Sequence, residues 1–341
     1  MHYDVTIGIP VYQAKNYVIR AMTSALEQTY PSIEFLVIDD GSKDFTAQII
    51  RNLQTSHDRG RHIRLLEHAE NLGVSETRNH IIREAQGDYL YFMDSDDTIH
   101  PDTIKLLMGQ INKYDADIAF GSYEKTELNG EKSLYQYPDA FYDNNEDFAG
   151  FAYRKYFGIQ ASACNFLVKT SILRNHDLNF RKSRFWEDTI FTLELVTYIQ
   201  KAVTLSTITY FYLCRERSLS DVRPDATIHK NEIVQYFETV EELKKRKAEL
   251  INRPYYPDRC YIAVMSDVYI ICNILKRWKH INPSFSNKEM KAYMTHPATL
   301  WEICTFKKKR TQNLLLYLIG KLPSSLCIRV IRSIGDMKKI I

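Results

Sequence analysis

The sequence predicts an α/β protein in which a mostly parallel sheet, with helices on both faces, is followed by a helical C-terminal region. Over residues 1–128, short apolar runs alternate with single amphipathic segments, and strands separated by single helices form parallel sheets. After about residue 225, apolar residues repeat at helical spacing, as in Ile233, Phe237 and Val240. We therefore predict a sheet-containing domain over 1–220, in two parts at 1–128 and 129–220, and a helical region over 221–341.

The strands of the first part are predicted from runs rich in β-branched and aromatic residues, at 5–10, 33–38, 62–66, 89–93 and 116–122. The helices between them are predicted from apolar residues three and four apart. The first carries Val18, Met22 and Leu26 on one face, and the others lie at 46–53, 75–85 and 103–114. Residues 133–145 are rich in Tyr, Pro, Asp and Asn and are predicted as a connection. The remaining predictions are a helix at 187–199, one or two strands at 204–213 and a helical stretch at 256–280.

Composition and charge exclude several classes of protein. Hydrophobic residues make up 45% of the chain and charged residues 26%, as is ordinary for a protein with a buried core. The net charge of +3 is too small to predict a nucleic-acid partner. The six cysteines form no CxxC pair, so neither a zinc module nor a dense disulfide framework is expected. We recognise no signal peptide and no membrane-spanning apolar run, and we therefore expect a cytoplasmic protein.

Acidic residues follow two of the predicted strands, at the point where each strand ends. Asp39 and Asp40 close the second strand, and the fourth leads into the run Asp-Ser-Asp-Asp at 94–97. Ligands of open parallel sheets bind at the carboxyl ends of the strands, and crowded carboxylates need a cation or hydrogen-bond donors nearby. Such oxygen ligands suit Mg²⁺ or Mn²⁺, with substrate phosphates completing the shell. The alternative is that these acids cap the turns and helices that follow them.

Two common phosphate-binding motifs are missing from the sequence. No GxGxxG follows the first predicted strand, and no GxxxxGK[ST] occurs anywhere in the chain. Dinucleotide-dependent oxidoreductases and P-loop NTPases are therefore not expected.

The order and spacing of seven short motifs resemble those of family 2 glycosyltransferases, which have the GT-A fold. The motifs are IPVY at 9–12, QTYP at 28–31, VIDDGS at 37–42, NLG at 71–73, TRN at 77–79, GDY at 87–89 and DSDD at 94–97. The resemblance covers about residues 4–220. It implies a GT-A catalytic domain over 1–220, with a nucleotide-donor half at 1–128 and an acceptor half at 129–220.

The resemblance implies a nucleobase site after the first two strands. Pro10 and Tyr12 would border the base, and Tyr12 would stack on it. Asp40 matches the carboxylate that accepts a hydrogen bond from the N–H of a uracil-type ring, and Asp39 lies beside it.

The resemblance also implies a diphosphate and metal site. Asp94 and Asp96 match the DXD motif, in which Asp96 binds the metal, Mn²⁺ or Mg²⁺, and Asp94 faces ribose or metal. Ser95 is grouped with them as donor-binding, and Arg78 would lie near the nucleotide. For Arg78 the alternative is an ordinary surface arginine. The run 215–218 is either a segment that folds over the diphosphate or an exposed turn.

On the acceptor side, Asp188 occupies the position of the family's catalytic base, with Glu187 and Trp186 beside it. A single base opposite the leaving group implies inversion of configuration. The alternative is that the two acids only favour a helix N-terminus through its dipole. Asn165 resembles a residue on the floor of the acceptor cleft, although Phe166 stands where relatives often have lysine.

The tail 301–341 carries nine Lys/Arg and two acids, a charge of 9 − 2 = +7, interspersed with apolar residues. This pattern favours a helix lying on an anionic membrane surface. The protein would then be peripheral on the inner face of the cytoplasmic membrane. The alternative is a pair of C-terminal helices packed on the rest of the chain.

Together these features predict an inverting, metal-dependent glycosyltransferase with a nucleotide-diphosphate donor, a UDP-sugar. It would transfer a hexosyl or N-acetylhexosaminyl group to a glycan or lipid-linked hydroxyl in surface polysaccharide synthesis. Two alternatives stay open. One is a non-catalytic nucleotide-sugar-binding or scaffold protein at the membrane. The other is a sugar-nucleotide pyrophosphorylase, which would need a glycine-rich basic loop where this chain has Pro-Val-Tyr-Gln at 10–13.

Overall fold

A computed structural model describes residues 2–154, 159, 162–183, 187–215 and 227–337. The chain divides into two compact units. The sheet unit comprises Met1–Phe148, Ala161–Lys182 and Glu194–Ser218. The helical unit comprises Ala149–Gln160, Ser183–Leu193 and Leu219–Ile341. The domain boundary at residue 220 stays a prediction.

Over the described residues, the sheet unit is built on a sheet of ten strands: β1 (Tyr3–Val11), β2 (Ile33–Asp39), β3 (Ile63–Glu67), β4 (Gly87–Phe92), β5 (Thr98–Ile99), β6 (Ile118–Thr126), β7 (Lys132–Tyr135), β8 (Ala140–Tyr142), β9 (Phe166–Lys169) and β10 (Ala202–Leu213). The spatial order is β3-β2-β1-β4-β9-β6-β10-β5, with β7 on β6 and β8 on β10. The first four strands in this order pair in parallel, and β9 is antiparallel to both of its neighbours.

The helices of this part of the chain connect the strands: α1 (Val18–Leu26), α2 (Thr46–Ser56), α3 (Val74–Glu84), α4 (Thr103–Tyr114), α5 (Asn145–Arg154), α6 (Thr170–Asn175) and α7 (Glu187–Val196). The central strands β1 and β2 are buried along almost their whole length, as expected for parallel strands covered on both faces. The predicted α/β class, with five strands and the helices between them, is confirmed.

Two details of the sheet differ from the sequence prediction. The connection predicted at 133–145 contains most of β7 and all of β8, which pair with β6 and β10. Strands β5 and β9 were not predicted at all. These strands are short, and they are stabilised by pairing with residues distant in sequence rather than by a local pattern.

The helical unit is built around α10, in which most side chains are buried. Its elements are β11 (Ile228–His229), α8 (Lys230–Lys244), α9 (Lys247–Leu250), α10 (Tyr256–Arg277), β12 (Ile281–Asn282), α11 (Asn287–Ala292), α12 (Leu300–Thr305), α13 (Arg310–Lys321) and α14 (Ser324–Met337). Helices α8, α13 and α14 pack against α10. No helix among the described residues is both long and apolar enough to cross a membrane.

A buried arginine links three segments of this unit. Arg259 in α10 is fully buried, and its guanidinium donates hydrogen bonds to the backbone oxygen of Leu243 at 2.9 Å and to the hydroxyl of Tyr153 at 2.8 Å. The ring of Tyr153 stacks on Tyr255, with centroids 5.6 Å apart. The helical unit therefore includes the end of α5 as part of its core.

Candidate active site

The predicted donor residues of the sheet unit lie where β1, β2 and β4 end. Strand β1 lies between β2 and β4, and its last residue, Val11, is paired with Asp39. Pro10 is buried within β1, whereas Tyr12 follows the strand and is 45% exposed. The loops after these parallel strands share one edge of the sheet, so the fold brings the two acidic clusters to the same edge.

Asp40 is fixed by three hydrogen-bond donors from the segment after β3. Its Oδ1 accepts from the backbone N–H of Leu72 at 2.8 Å and lies 2.7 Å from Nδ1 of His68. Its Oδ2 accepts from the backbone N–H of Gly73 at 2.8 Å. The Asp40 side chain is almost fully buried, and these donors stabilise its charge.

The turn around Gly41 places Asp40 next to that segment. Gly41 has φ of +72°, and a Cβ there would lie 2.8 Å from the carbonyl carbon of Glu70. Only glycine adopts this conformation without cost and leaves room for the backbone of the next loop. Asp39 is also buried, and its Oδ1 accepts from the backbone N–H of Ser42 at 3.1 Å.

The loop after β1 is attached to the loop after β2. The backbone N–H groups of Gln13 and Ala14 donate to the hydroxyls of Ser42 and Thr46, each at 2.8 Å. The amide of Gln13 donates to the Tyr12 hydroxyl at 2.9 Å. The exposed Tyr12 ring is therefore held on a loop whose backbone is fixed.

Arg78 is buried rather than on the surface, and it pairs with the first aspartate of the DXD motif. It projects from α3, and its Nη2 lies 3.0 Å from Oδ1 of Asp94. Its guanidinium carbon is 5.4 Å from the centroid of the Phe180 ring. The arginine therefore balances part of the charge of the acidic run.

Asp96 is paired with Arg215, which follows β10. The two side chains form a salt bridge, and the Arg215 guanidinium also lies 4.9 Å from the Tyr17 ring centroid. Burial raises the pKa of Asp96, and the negative charge of Asp94 raises it further, whereas Arg215 lowers it. Burial and the charge of Asp94 thus outweigh the salt bridge with Arg215 in their effect on the pKa of Asp96.

Asp97 is the most buried member of the acidic run and is bound to β10. Its Oδ2 accepts from the hydroxyl of Tyr210 at 2.6 Å, and its Oδ1 accepts from the backbone N–H of Leu213 at 2.9 Å. The Tyr210 oxygen in turn accepts from the backbone N–H of Asp94 at 3.2 Å. Burial raises the pKa of Asp97, as do the charges of Asp94 and Asp96. Tyr210 therefore ties both ends of the acidic run 94–97 to the sheet.

The type, exposure and number of the carboxylates in this run fit a divalent metal. Asp94 and Asp96 offer hard oxygen ligands, and their side chains are 31% and 17% exposed. In the part of the chain that the structure describes, no cluster of three or more Asp, Glu, His or Cys residues could hold a metal by itself. Among the described residues, Asp94 and Asp96 are thus the two candidate ligands, a number that suits Mg²⁺ or Mn²⁺ shared with substrate phosphates.

The residues predicted for the acceptor side fall in three places. Glu187 and Asp188 open α7 in the helical unit, where Oδ1 of Asp188 accepts from the backbone N–H of Thr189 at 2.7 Å. Asn165 lies in the sheet unit, fully buried, and its amide donates to the backbone oxygen of Gly121 at 2.6 Å. Trp186 and residues 216–218 lie outside the described residues.

Three residues of this edge were not predicted from the sequence: His68, Tyr17 and Tyr210. His68 lies next to Asp40, Tyr17 next to Arg215, and Tyr210 next to Asp97. An isolated histidine or tyrosine gives no local signal of a partner far away in sequence. The resemblance to family 2 glycosyltransferases rests on seven short motifs, and none of these three residues lies in them.

Comparison with known proteins identifies the family. The profile described as Glycosyl transferase family 2 matches residues 6–176, half of the chain. Glycosyltransferase GlyA of Streptococcus pneumoniae is 30% identical over 235 residues, which is 66% of this chain but only 32% of GlyA, so the chain spans about a third of that relative.

Solved structures show the same fold. Residues 1–349 of Staphylococcus aureus TarS, in complex with UDP-GlcNAc, superpose with a TM-score of 0.67 at 17% identity, over 99% of this chain and 92% of that one. The mannosyltransferase PcManGT of Pyrobaculum calidifontis, solved with GDP-Man and Mn²⁺, gives a TM-score of 0.50 at 13% identity, over 99% and 88%. These matches confirm the GT-A fold, and with the family profile they lead to one conclusion: the chain belongs to glycosyltransferase family 2.

Proposed function

We propose that this protein is an inverting, metal-dependent glycosyltransferase that moves a sugar from a UDP-type donor to a hydroxyl group of a glycan or lipid-linked acceptor. The observation that carries the proposal is the grouping of Asp40, Asp94 and Asp96 at the carboxyl edge of β2 and β4, on either side of β1. Ligands of open α/β sheets bind at this edge. The UDP-GlcNAc complex of TarS supports a UDP donor.

The nucleobase would bind at the β1 and β2 loops. The half-exposed Tyr12 ring offers a stacking surface beside Pro10. A carboxylate has about four lone-pair sites, and three donors contact Asp40. One acceptor site is therefore left for a base N–H, with Asp39 buried beside it.

The diphosphate would bind along Asp94, Ser95 and Asp96, close to Arg78. A Mn²⁺ or Mg²⁺ ion held by Asp96 and Asp94 would supply positive charge to the leaving diphosphate. Burial and the neighbouring charge of Asp94 both raise the pKa of Asp96, so a cation bound there would stabilise its carboxylate. The Mn²⁺ complex of PcManGT supports a metal of this kind.

Asp188 would act as the catalytic base, with Glu187, Trp186 and Asn165 on the acceptor side. The acceptor hydroxyl gives its proton to the Asp188 carboxylate as its oxygen forms the new bond to the anomeric carbon. The bond between that carbon and the diphosphate breaks on the opposite side, so the configuration inverts. The assignment is supported by the family membership of the chain and by the place of Asp188 in the first turn of α7.

Calorimetric titration with UDP, GDP and CMP, each with and without Mn²⁺, tests the donor site. We expect metal-dependent binding of UDP. Asp96→Ala should abolish the metal dependence, whereas Asp88→Ala, at the opposite end of β4 and 61% exposed, should leave it unchanged. If the wild-type protein binds none of the three nucleotides, the proposal fails and a scaffold function becomes the better one.

The rate of sugar transfer from the donor to an acceptor tests the role of Asp188 as the catalytic base. Asp188→Asn should bind UDP like the wild-type protein but transfer sugar about 100-fold more slowly or worse, the usual scale for loss of a general base. Transfer at near wild-type rate would remove Asp188 from that role.

The same proposal includes contact of the tail with an anionic membrane surface. Leu315 and Leu318 on α13 are 57% and 49% exposed. Trp301 on α12 is 82% exposed. The basic run 307–310 lies next to them in sequence, and each basic residue near such a surface contributes about 1 kcal/mol. Other side chains of α13, such as Ile319, are buried, so deleting the tail would disturb the core.

Point substitutions avoid that problem. The wild-type protein should sediment with vesicles of phosphatidylglycerol and phosphatidylcholine but not with phosphatidylcholine alone. The double variant Leu315→Ser, Leu318→Ser should sediment less, and Leu128→Ser, a leucine of the sheet unit that is 62% exposed, should sediment normally. Equal sedimentation of all three proteins would contradict membrane contact through the tail.

A further inference from the structure

Behind Asp40, two histidines form a chain of hydrogen bonds that leads away from the proposed nucleobase site. Nδ1 of His68 is 2.7 Å from Oδ1 of Asp40, and Nε2 of His68 is 2.9 Å from Nδ1 of His80 in α3. The two imidazole planes are within 7° of parallel, with centroids 5.1 Å apart. The His68 side chain is 8% exposed and that of Asp40 is 5% exposed.

The positions of the protons in this chain follow from the acceptors. A carboxylate only accepts, so Nδ1 of His68 must carry the proton that it donates to Asp40. Nε2 of His68 is then paired with Nδ1 of His80, and it accepts a hydrogen bond from His80 when the His68 ring is neutral or donates one when that ring is charged. Burial lowers the pKa of His80, and the charges of His68 and Arg83 lower it further, whereas Glu84 and Glu76 raise it. In either arrangement His80 partners the second nitrogen of His68 and leaves Nδ1–H directed at Asp40.

We propose that His68, whose second ring nitrogen is paired with His80, is a positioning residue that holds Asp40 as the acceptor for the nucleobase N–H, and thereby determines the preference of the enzyme for uracil over cytosine. Uracil presents an N–H at ring position 3, where cytosine presents a lone pair. A fixed carboxylate accepts from the first and repels the second. This inference rests on the proposed function, because it assumes that a base binds at Asp40.

The test measures the ratio of the dissociation constants for CDP and UDP, because a general loss of structure or charge weakens both ligands alike and leaves this ratio unchanged. His68→Leu removes the donor to Asp40. Without this donor the Asp40 carboxylate is no longer fixed toward the base N–H, so we expect the ratio to fall about tenfold, which corresponds to about 1.4 kcal/mol.

His68→Asn is the conservative control, because its side-chain N–H can replace Nδ1–H. It should keep the ratio within about threefold of wild type, since it preserves the donor to Asp40. An unchanged ratio in His68→Leu would overturn the inference, as would an equal fall in both variants. If wild-type protein binds neither nucleotide, the proposed function itself is wrong and the inference falls with it.

A measurement on the wild-type protein does not depend on folding of the variants. Nitrogen NMR of protein labelled in its histidines should show His68 protonated at Nδ1 at neutral pH. A wild-type His68 protonated only at Nε2 would overturn the inference, because that tautomer has no proton to donate to Asp40.

Discussion

Replacing Tyr210 with Phe should destabilise the sheet unit and loosen the loop that carries the DXD motif. Tyr210 is 1% exposed. Its hydroxyl donates to Oδ2 of Asp97 at 2.6 Å and accepts from the backbone N–H of Asp94 at 3.2 Å. Phe fits the same space, so the change removes both hydrogen bonds without leaving a large cavity.

The size of the effect follows from the two bonds that are lost. A hydrogen bond to a buried carboxylate contributes about 1.5–3 kcal/mol, and a bond between neutral groups about 0.5–1.5 kcal/mol. After the substitution, Asp97 retains only the donor from Leu213 among the contacts described above. We therefore expect the free energy of unfolding to fall by about 2–4 kcal/mol.

Urea unfolding followed by two probes measures this change and locates it. The described tryptophans, Trp278 and Trp301, belong to the helical unit, and the measurement uses a Trp186→Phe background. Their fluorescence therefore reports on that unit, whereas far-ultraviolet circular dichroism reports on both. If the units unfold independently, Tyr210→Phe should lower the midpoint seen by dichroism and leave the fluorescence midpoint unchanged.

Tyr91→Phe is the matched control. Tyr91 is also fully buried in the sheet, but its hydroxyl is 3.4 Å from Oδ1 of Asn165, too far for a strong bond. Its substitution should cost about 1 kcal/mol or less. Equal losses for Tyr210→Phe and Tyr91→Phe would refute the reasoning, because burial rather than the Asp97 bond would then explain both.

Two further predictions concern stability. Burial raises the pKa of Asp267 to about 7, although Lys244 lies 2.7 Å away and opposes the shift. The folded protein therefore holds this proton more tightly than the unfolded chain, and its stability should fall as pH rises toward 7. Relative to Asp267→Asn, which does not titrate, the wild-type protein should lose about 1–3 kcal/mol between about pH 5 and 7.5 in thermal or urea unfolding. A constant difference between the two proteins would contradict this. Gly41→Ala should cost about 1–3 kcal/mol, because φ is +72° and the added carbon meets the backbone of Glu70. Gly109→Ala in α4, with open space around it, should instead stabilise by up to about 1 kcal/mol; a loss in both variants would contradict the argument.

The parallel half of the sheet was predictable because its strands and helices alternate with a clear local pattern. The location of the acidic run after β4 was also predictable, because a loop that follows a parallel strand lies at the carboxyl edge of the sheet. Strand β9 was not predictable, because its antiparallel pairing with β4 and β6 joins residues far apart in sequence. The roles of Tyr210 and His68 were not predictable for the same reason, because their partners lie 113 and 28 residues away in the sequence.

The path of the chain constrains how the catalytic domain can be shortened or exchanged. Residues Ala149–Gln160 belong to the helical unit although they precede two strands of the sheet. A chain stopped at residue 220 would lose Tyr255 and Arg259, and the buried Tyr153 would be left without the ring and the guanidinium that cover it. An expression fragment of that length should therefore aggregate, and a chimaera that exchanges the C-terminal helices should retain the matching α5 as well.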